Sequence, residues 1–196
     1  MQILVVWASQ HGATREIGER IGARLRAAGH TVDLRSVTTT PDVWGYDAFV
    51  VGSAVYMGRW RKEAMAFVRE RRESLAARPT WLYSSGPLVD PVDPELRAAA
   101  ERKEIEELLS AKELAETVHP RDHKAFFGAM RPDRLSFPEK VMRATPVGRK
   151  IMPEGDFRDW AEIEAWADGI AADLSNASTA EGPGPAATTD GSRPDA

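Results

Sequence analysis

Hydroxyls, a glycine and one imidazole gather in a short stretch, Ser9-Gln10-His11-Gly12-Ala13-Thr14, between an apolar run (Ile3 to Trp7) and a segment of helical periodicity. A turn of this kind at a helix N-terminus presents unpaired backbone N–H groups at the positive end of the helix dipole, a chemistry that suits a phosphate. The stretch has no Lys or Arg, so an anion there would rest on amides and hydroxyls, with Gly12 letting the backbone come close. The same residues also read as a plain helix start, capped by Ser9 and Thr14. They match neither the nucleoside triphosphatase pattern G-x-x-x-x-G-K-S/T nor the dinucleotide fingerprint G-x-G-x-x-G. Two further stretches sit at equivalent points along the chain. Ser53-Ala54-Val55-Tyr56-Met57-Gly58 offers an aromatic ring, a thioether and a glycine where a planar ring could lie between loops, and Ser84-Ser85-Gly86-Pro87 offers hydroxyls and amides to its polar edge. A phospho-accepting receiver domain would need carboxylates at these strand ends, where Trp7-Ala8 and Gly52-Ser53 stand instead. No side chain stands out as a catalytic acid, base or nucleophile.

The elements that must position these loops alternate in type. Ile3 to Trp7 is β-branched and apolar on both faces, as a strand inside a parallel sheet requires. Thr14 to Ala28 puts Ile17, Ile21 and Leu25 on one stripe and ends at Gly29. Thr31 to Val37 alternates like a half-exposed edge strand, Ala48 to Val51 is again fully apolar, and a helix carrying Ala64, Phe67, Val68 and Leu75 follows. Thr80 to Ser84 is the fourth strand. Asp93-Pro94 marks a helix start, the helix reaching to about Val118, and Lys124 to Ala129 is the expected fifth strand. Trp160, Ile163, Ala167, Ile170 and Leu174 make the last helix. Right-handed crossovers and an edge at strand two give an α/β doubly wound, five-stranded parallel sheet in the order 2-1-3-4-5, with helices on both faces. Ligands of such sheets sit beyond the carboxyl ends of the strands at the switch point between strands one and three.

Composition narrows the classes of function. With 196 residues, 42% of them hydrophobic, the chain suits one domain with a full core, here placed at residues 1–175. Its apolar runs are far shorter than the roughly 20 residues of a membrane span, and no secretory leader pattern follows Met1, so a cytoplasmic protein is expected. The absence of cysteine removes disulfides, thiolate metal sites and cysteine nucleophiles. A net charge of −4 gives no reason to expect nucleic acid as a partner. Residues 176–196, rich in Ala, Thr, Ser, Gly, Pro and Asp, have almost nothing to bury and read as a disordered tail.

One segment falls outside the alternating plan. Residues from about 130 to 155 form an insertion longer than an ordinary connection. Arg131, Arg134, Lys140, Arg143, Arg149 and Lys150 stand there against Asp133 and Glu139, interleaved with Leu135, Phe137, Val141 and Met142. That pattern suits an anionic, partly apolar substrate, an anionic membrane surface contacted peripherally, or an ordinary solvated cover over the sheet. Pro132, Pro138, Pro146 and Pro153 argue against a long amphipathic helix. His119 and His123 have the spacing of a helical metal pair, but Pro120 between them points to a strand entry, and no metal is expected. Trp160 and Trp166 fit a helix packed on the core better than a cofactor site.

The loop Ser9-x-His11-Gly12-x-Thr14 resembles the phosphate loop of flavodoxins, with His11 departing from the usual outline. More narrowly, Tyr46 to Gly58 followed by the helix ending in Phe67-Val68, then Phe127-Gly128-Ala129-Met130-Arg131 and Asp159-Trp160, resemble the flavodoxin-like menaquinone-dependent protoporphyrinogen dehydrogenases over most of the chain to about residue 174. The resemblance implies a flavodoxin-like fold, non-covalent FMN held by the three loops, and electron or hydride transfer through the flavin. It also implies a quinone- or porphyrinogen-like small molecule as partner, in haem synthesis. The alternative within the same fold is an electron carrier docking redox partner proteins, and a deazaflavin fits the same cleft chemistry.

Overall fold

The apolar run near the N-terminus becomes the middle of a sheet because none of its side chains needs water on either face. The computed structural model describes residues 1–39, 42–86, 99, 102–106, 108–151 and 153–180. Strand β1 (Gln2–Ala8) pairs in parallel with β2 (Thr31–Ser36) on one side and β3 (Ala48–Tyr56) on the other; β5 (Thr80–Ser85) and β6 (Asp122–Phe126) complete the parallel order β2-β1-β3-β5-β6. In sequence terms this is the doubly wound order 2-1-3-4-5. A short β4 (Arg59–Trp60) folds back antiparallel onto β3.

Side chains alternate across the sheet. Leu4, Val6, Phe49, Val51 and Leu82 meet α2 (Lys62–Glu70), α3 (Arg72–Ala76) and α4 (Ala111–Val118) on one face. Ile3, Val5, Val50, Trp81 and Tyr83 meet α1 (Ala13–Ala27) and α7 (Trp160–Ala180) on the other. Parallel register brings the strand ends level: Ala8 lies beside Ser53, Ser53 beside Ser84, and Ser85 beside Phe126. The loops after β1, β3, β5 and β6 therefore emerge together.

Tyr83 locks this end of the sheet. A Cβ on Gly52 would fall on its ring, so the glycine is what lets the ring cross β3, and its hydroxyl donates to Thr14 O at 3.2 Å. The first turn of α1 is thus tied to the strand beneath it.

Several boundaries differ from expectation. The fifth strand of the parallel sheet lies at Asp122–Phe126, earlier than 124–129. Asp122 and Lys124 face α7, where Trp166 Nε1 donates to Asp122 Oδ2 at 2.6 Å and Lys124 pairs with Glu162 at 2.7 Å, so a strand of this polarity escapes an apolar-run criterion. Ala129–Met130 is a separate strand, β7, antiparallel to β8 (Gly155–Asp156); this ribbon closes the base of the insertion. Within the insertion the prolines start helices: Pro138 opens α5 (Phe137–Ala144), which carries a Ser136–Glu139 capping box, and Pro146 opens α6 (Pro146–Ile151). The single helix expected around Ala64 to Leu75 divides at Arg71. Helix α7 continues to Ala180, past the domain boundary at 175. The helix start at Asp93-Pro94 lies outside the described residues.

Candidate functional site

Where the four loops meet they line one cleft, open to solvent. Its walls are Ser9, Gln10, His11, Ala13 and Thr14 after β1, Ala54, Val55 and Tyr56 at the end of β3, Ser85 and Gly86 after β5, and Gly128, Ala129 and Met130 after β6.

The first loop is shaped by Gly12, whose φ of 92° lies in the left-handed region. Gly12 occupies the N-cap position of α1, and no side chain caps that helix. The expectation that Ser9 and Thr14 serve only as helix caps does not hold: Ser9 Oγ accepts the Gly12 amide at 3.0 Å, and Thr14 is buried. The amides of His11, Ala13 and Thr14 have no acceptor among the described residues. Free donors at a helix N-terminus, beside a glycine whose Cβ would overlap Nη1 of Arg134, make a cradle fitted to an oxyanion.

The second loop is a two-residue hairpin. Met57 (φ 51°) and Gly58 (φ 69°) both take positive φ between the paired residues Tyr56 and Arg59, the pattern of a type I′ turn. Tyr56 stands half-exposed at the cleft with its hydroxyl pKa raised, chiefly by desolvation, with Arg61 opposing the shift. Val55, Tyr56 and Met130 give the cleft apolar and aromatic surface, and Ser85 and Gly86 give it polar surface.

Not every expected residue reaches this cleft. Strand alternation turns Ser53 and Ser84 inward. Ser53 Oγ accepts the Arg61 amide at 3.0 Å and donates to Ala54 O at 2.9 Å. Ser84 Oγ accepts from Trp60 Nε1 at 2.8 Å and lies 2.9 Å from His123 Nε2, and burial pushes the pKa of His123 down to about 4. Met57 is 97% exposed at the hairpin tip, and Gly58 O accepts the Leu109 amide at 2.8 Å. Pro87 lies outside the described residues.

The structure also brings in residues the sequence reading did not place there. Gly128 to Met130 form the fourth wall; the signal was the Phe127-Gly128-Ala129-Met130-Arg131 motif, which its apolar character assigned to a strand. Glu16, on α1, accepts from Arg131, Arg134 and Arg158. Burial alone would raise the Glu16 carboxyl, but hydrogen bonds and charge from these arginines hold it below the usual range. The Arg158 side chain is 1% exposed and also takes Asp156. Glu139 of α5 reaches Gln10 Nε2 at 3.3 Å and His11 Nε2 at 3.0 Å. Three of the insertion's arginines are therefore engaged within the molecule: Arg131 and Arg134 with Glu16, and Arg143 with Glu154 at 3.0 Å.

Comparison with known proteins bears on this cleft. The family model described as "Flavodoxin domain" matches residues 4–149. Protoporphyrinogen IX dehydrogenase of the quinone type from Escherichia coli K12 is 27% identical over 86 residues, 43% of this chain and 48% of that protein, so the match spans about half the length of the curated relative. Among solved structures, a cysteine-to-serine mutant of flavodoxin from Pseudomonas aeruginosa superposes with a TM-score of 0.54 at 15% identity, covering 89% of this chain and 99% of the other. The rubredoxin oxygen:oxidoreductase of Desulfovibrio gigas superposes with a TM-score of 0.54 at 11% identity, covering 89% of this chain and 36% of the other. At these identities the structural likeness speaks to the fold.

Proposed function

We propose, on the premise that the chain belongs to the flavodoxin domain family, that it is an FMN-dependent oxidoreductase acting between a quinone and a porphyrinogen-like small molecule. FMN binding and a redox role as oxidoreductase or electron carrier follow from membership of that family; the substrate class is the proposal. The observation that carries it is the fourth wall: Gly128 to Met130, at the root of the insertion, line the cleft on a side where a carrier needs only an exposed edge. The partial likeness to the Escherichia coli protoporphyrinogen IX dehydrogenase supports the same reading.

In this reading the free amides of His11, Ala13 and Thr14 would hold the phosphate, Tyr56 and Val55 would supply apolar and aromatic contact to the ring, and Ser85 and Gly86 would supply polar groups to it. When bound, FMN supplies the redox chemistry. The chain's own part is to fix the ring between two walls and keep water from it. Of the basic residues first associated with an anionic substrate, Lys140 and Arg149 stay exposed, and in this reading they would be the ones to meet substrate carboxylates.

A carrier that docks a redox protein is the second reading. It is favoured by α5, which buries no residue and exposes Phe137 (80%), Val141 and Met142 beside the cleft, an apolar face suited to a protein partner. The absorption spectrum of the purified protein with identification of the released ligand, followed by anaerobic mixing with a porphyrinogen or a reduced quinone, tests both. Rapid bleaching of the flavin band by the small molecule is expected. Bleaching only through a protein reductase would favour the carrier, a released deazaflavin would change the cofactor, and a colourless protein that refuses added FMN would overturn the reading.

A further inference from the structure

Helix α5 is built inside out. A helix that covers a protein normally turns its apolar stripe inward. In α5 the stripe of Phe137, Val141 and Ala144, spaced i, i+4 and i+7, is exposed, and the helix buries none of its residues. Its polar side faces the protein instead. Glu139 Oε1 lies 3.3 Å from Gln10 Nε2 and 3.0 Å from His11 Nε2, and Arg143 pairs with Glu154 at 3.0 Å. These bonds fix the orientation of the helix and keep the stripe outward. Helix α6 continues the same surface. A Cβ on Gly148 would fall on the Met142 carbonyl oxygen, so the two helices are packed backbone to backbone, and Val147 of α6 is 67% exposed.

The charge on this surface points to what covers it. Residues 137–151 hold Lys140, Arg143, Arg149 and Lys150 against a single carboxylate, Glu139, in a chain whose net charge is −4. Glu139 is turned to the first loop and Arg143 to Glu154, while Lys140 and Arg149 are exposed and make no ion pair among the described residues. The outward face is therefore apolar and cationic with no carboxylate to offset it. A second copy of the chain would set these cations against their own like. Helices of eight and six residues are also a small platform on which to build a stable protein interface of roughly 1,200–2,000 Å². An anionic bilayer meets both features at once, because its headgroups take the cations, its acyl boundary takes the apolar side chains, and the contact strengthens with whatever apolar area enters.

We propose that α5 and α6 form a peripheral docking surface for an anionic lipid bilayer, with Phe137, Val141 and Val147 entering the headgroup region and Lys140 and Arg149 meeting lipid phosphates. Because Glu139 of the same helix bonds two residues of the cleft wall, docking brings that wall close to the bilayer. The inference goes beyond the FMN reading and stands without it. For the quinone of that reading it shortens the route between the hydrocarbon phase and the cleft.

The test is co-sedimentation of the full 196-residue chain with vesicles of equal parts phosphatidylglycerol and phosphatidylcholine, set against vesicles of phosphatidylcholine alone. The wild-type protein should bind the anionic vesicles, release most of that binding as salt rises from about 0.1 to 0.5 M, and leave the neutral vesicles nearly bare. Lys140→Gln combined with Arg149→Gln should raise the apparent dissociation constant about 25-fold, at about fivefold for each cation near the surface. Phe137→Ser combined with Val141→Ser should raise it at least about tenfold. Since α5 buries no residue, both variants should keep the wild-type circular dichroism and melting temperature, so that lost binding is not lost folding. Trp44→Ser serves as the control: Trp44 is 76% exposed but precedes β3, at the amino ends of the strands, and its loss should leave vesicle binding unchanged. Wild-type protein that ignores the anionic vesicles, or variants that bind them as well as wild type, would overturn the proposal. In the first case a dimer that Phe137→Ser with Val141→Ser dissolves would assign the face to a second copy, and a monomer would leave it to a soluble redox protein. A chain that binds the vesicles but refuses FMN would overturn the flavin reading alone.

Discussion

Gly12 holds a backbone conformation that other residues adopt only at a cost, and it does so at the point where the phosphate cradle turns into α1. A valine there would put a β-branched side chain into the left-handed region, costing about 1–2 kcal/mol. It would also press on the Arg134 guanidinium. Gly12→Val should therefore lose measurable FMN binding in a fluorescence titration while the protein still unfolds cooperatively a few degrees lower; undiminished affinity would show that the phosphate does not rest there. Tyr56→Ala should be milder. The ring is half-exposed at the cleft edge, so its removal should weaken FMN several-fold and shift the flavin midpoint potential without abolishing binding. Single-residue roles were only partly legible in the sequence. Ser84 and Ser85 look equivalent as letters, but strand alternation sends one to Trp60 and His123 and the other to the cleft. No local pattern announces that Glu139 will bond His11, since the contact crosses most of the chain.

Secondary-structure elements were more legible where periodicity is strong. The apolar strands β1 and β3 and the stripe Ile17, Ile21, Leu25 declare themselves, because burial on a given face leaves a regular trace. Strand β6 and the insertion do not, since their polar residues are satisfied by partners far off in sequence: Asp122 by Trp166, Arg131 and Arg134 by Glu16. Glu16 makes that dependence measurable. One carboxylate of α1 receives three arginines, and Arg158 among them is buried. Glu16→Ala would leave the buried Arg158 to Asp156 and should cost roughly 1.5–3 kcal/mol in a urea melt. Hydrogen exchange should then quicken across residues 129–158 before it does in the parallel sheet. Uniform quickening would mean that the segment opens only with global unfolding. The hairpin from β3 to β4 gives an independent check on element geometry. Met57 occupies a positive-φ position in a turn type that favours Asn, so Met57→Asn should raise stability by about 0.5–1 kcal/mol, read as a higher urea midpoint with an unchanged slope.

At the scale of the whole molecule, the loops form one site because the parallel sheet holds four strand ends level and Gly128 to Met130, at the root of the insertion, add a fourth wall. No helix among the described residues is long and apolar enough to cross a membrane. The stability of that frame should depend on acid through His123 of β6, whose ring has Ser84 as its hydrogen-bond partner and Trp60 edge-on at 5.7 Å. Ser84 Oγ accepts from Trp60 and lies 2.9 Å from His123 Nε2, to which it donates its own proton when that nitrogen of the neutral ring is bare. Burial lowers the pKa from 6.5 to about 4. Above 6.5 neither state carries the extra proton and the fold has its full stability. Between 6.5 and about 4 the unfolded chain takes up a proton that the folded chain refuses, so stability falls as pH falls, by roughly 3 kcal/mol over the window. Glu16, Glu139 and Asp156, all held below their usual range by cationic or hydroxyl partners, extend the loss in the same direction at lower pH, as they protonate. His123→Gln preserves a carbonyl acceptor for the Ser84 hydroxyl and removes the titrating ring. Urea melts from pH 7 to 4.5 should therefore show a steep decline for the wild-type protein and a much flatter one for the variant. Equal slopes would mean that His123 is protonated at little cost in the fold, and that the acid sensitivity belongs to the carboxylates of the insertion.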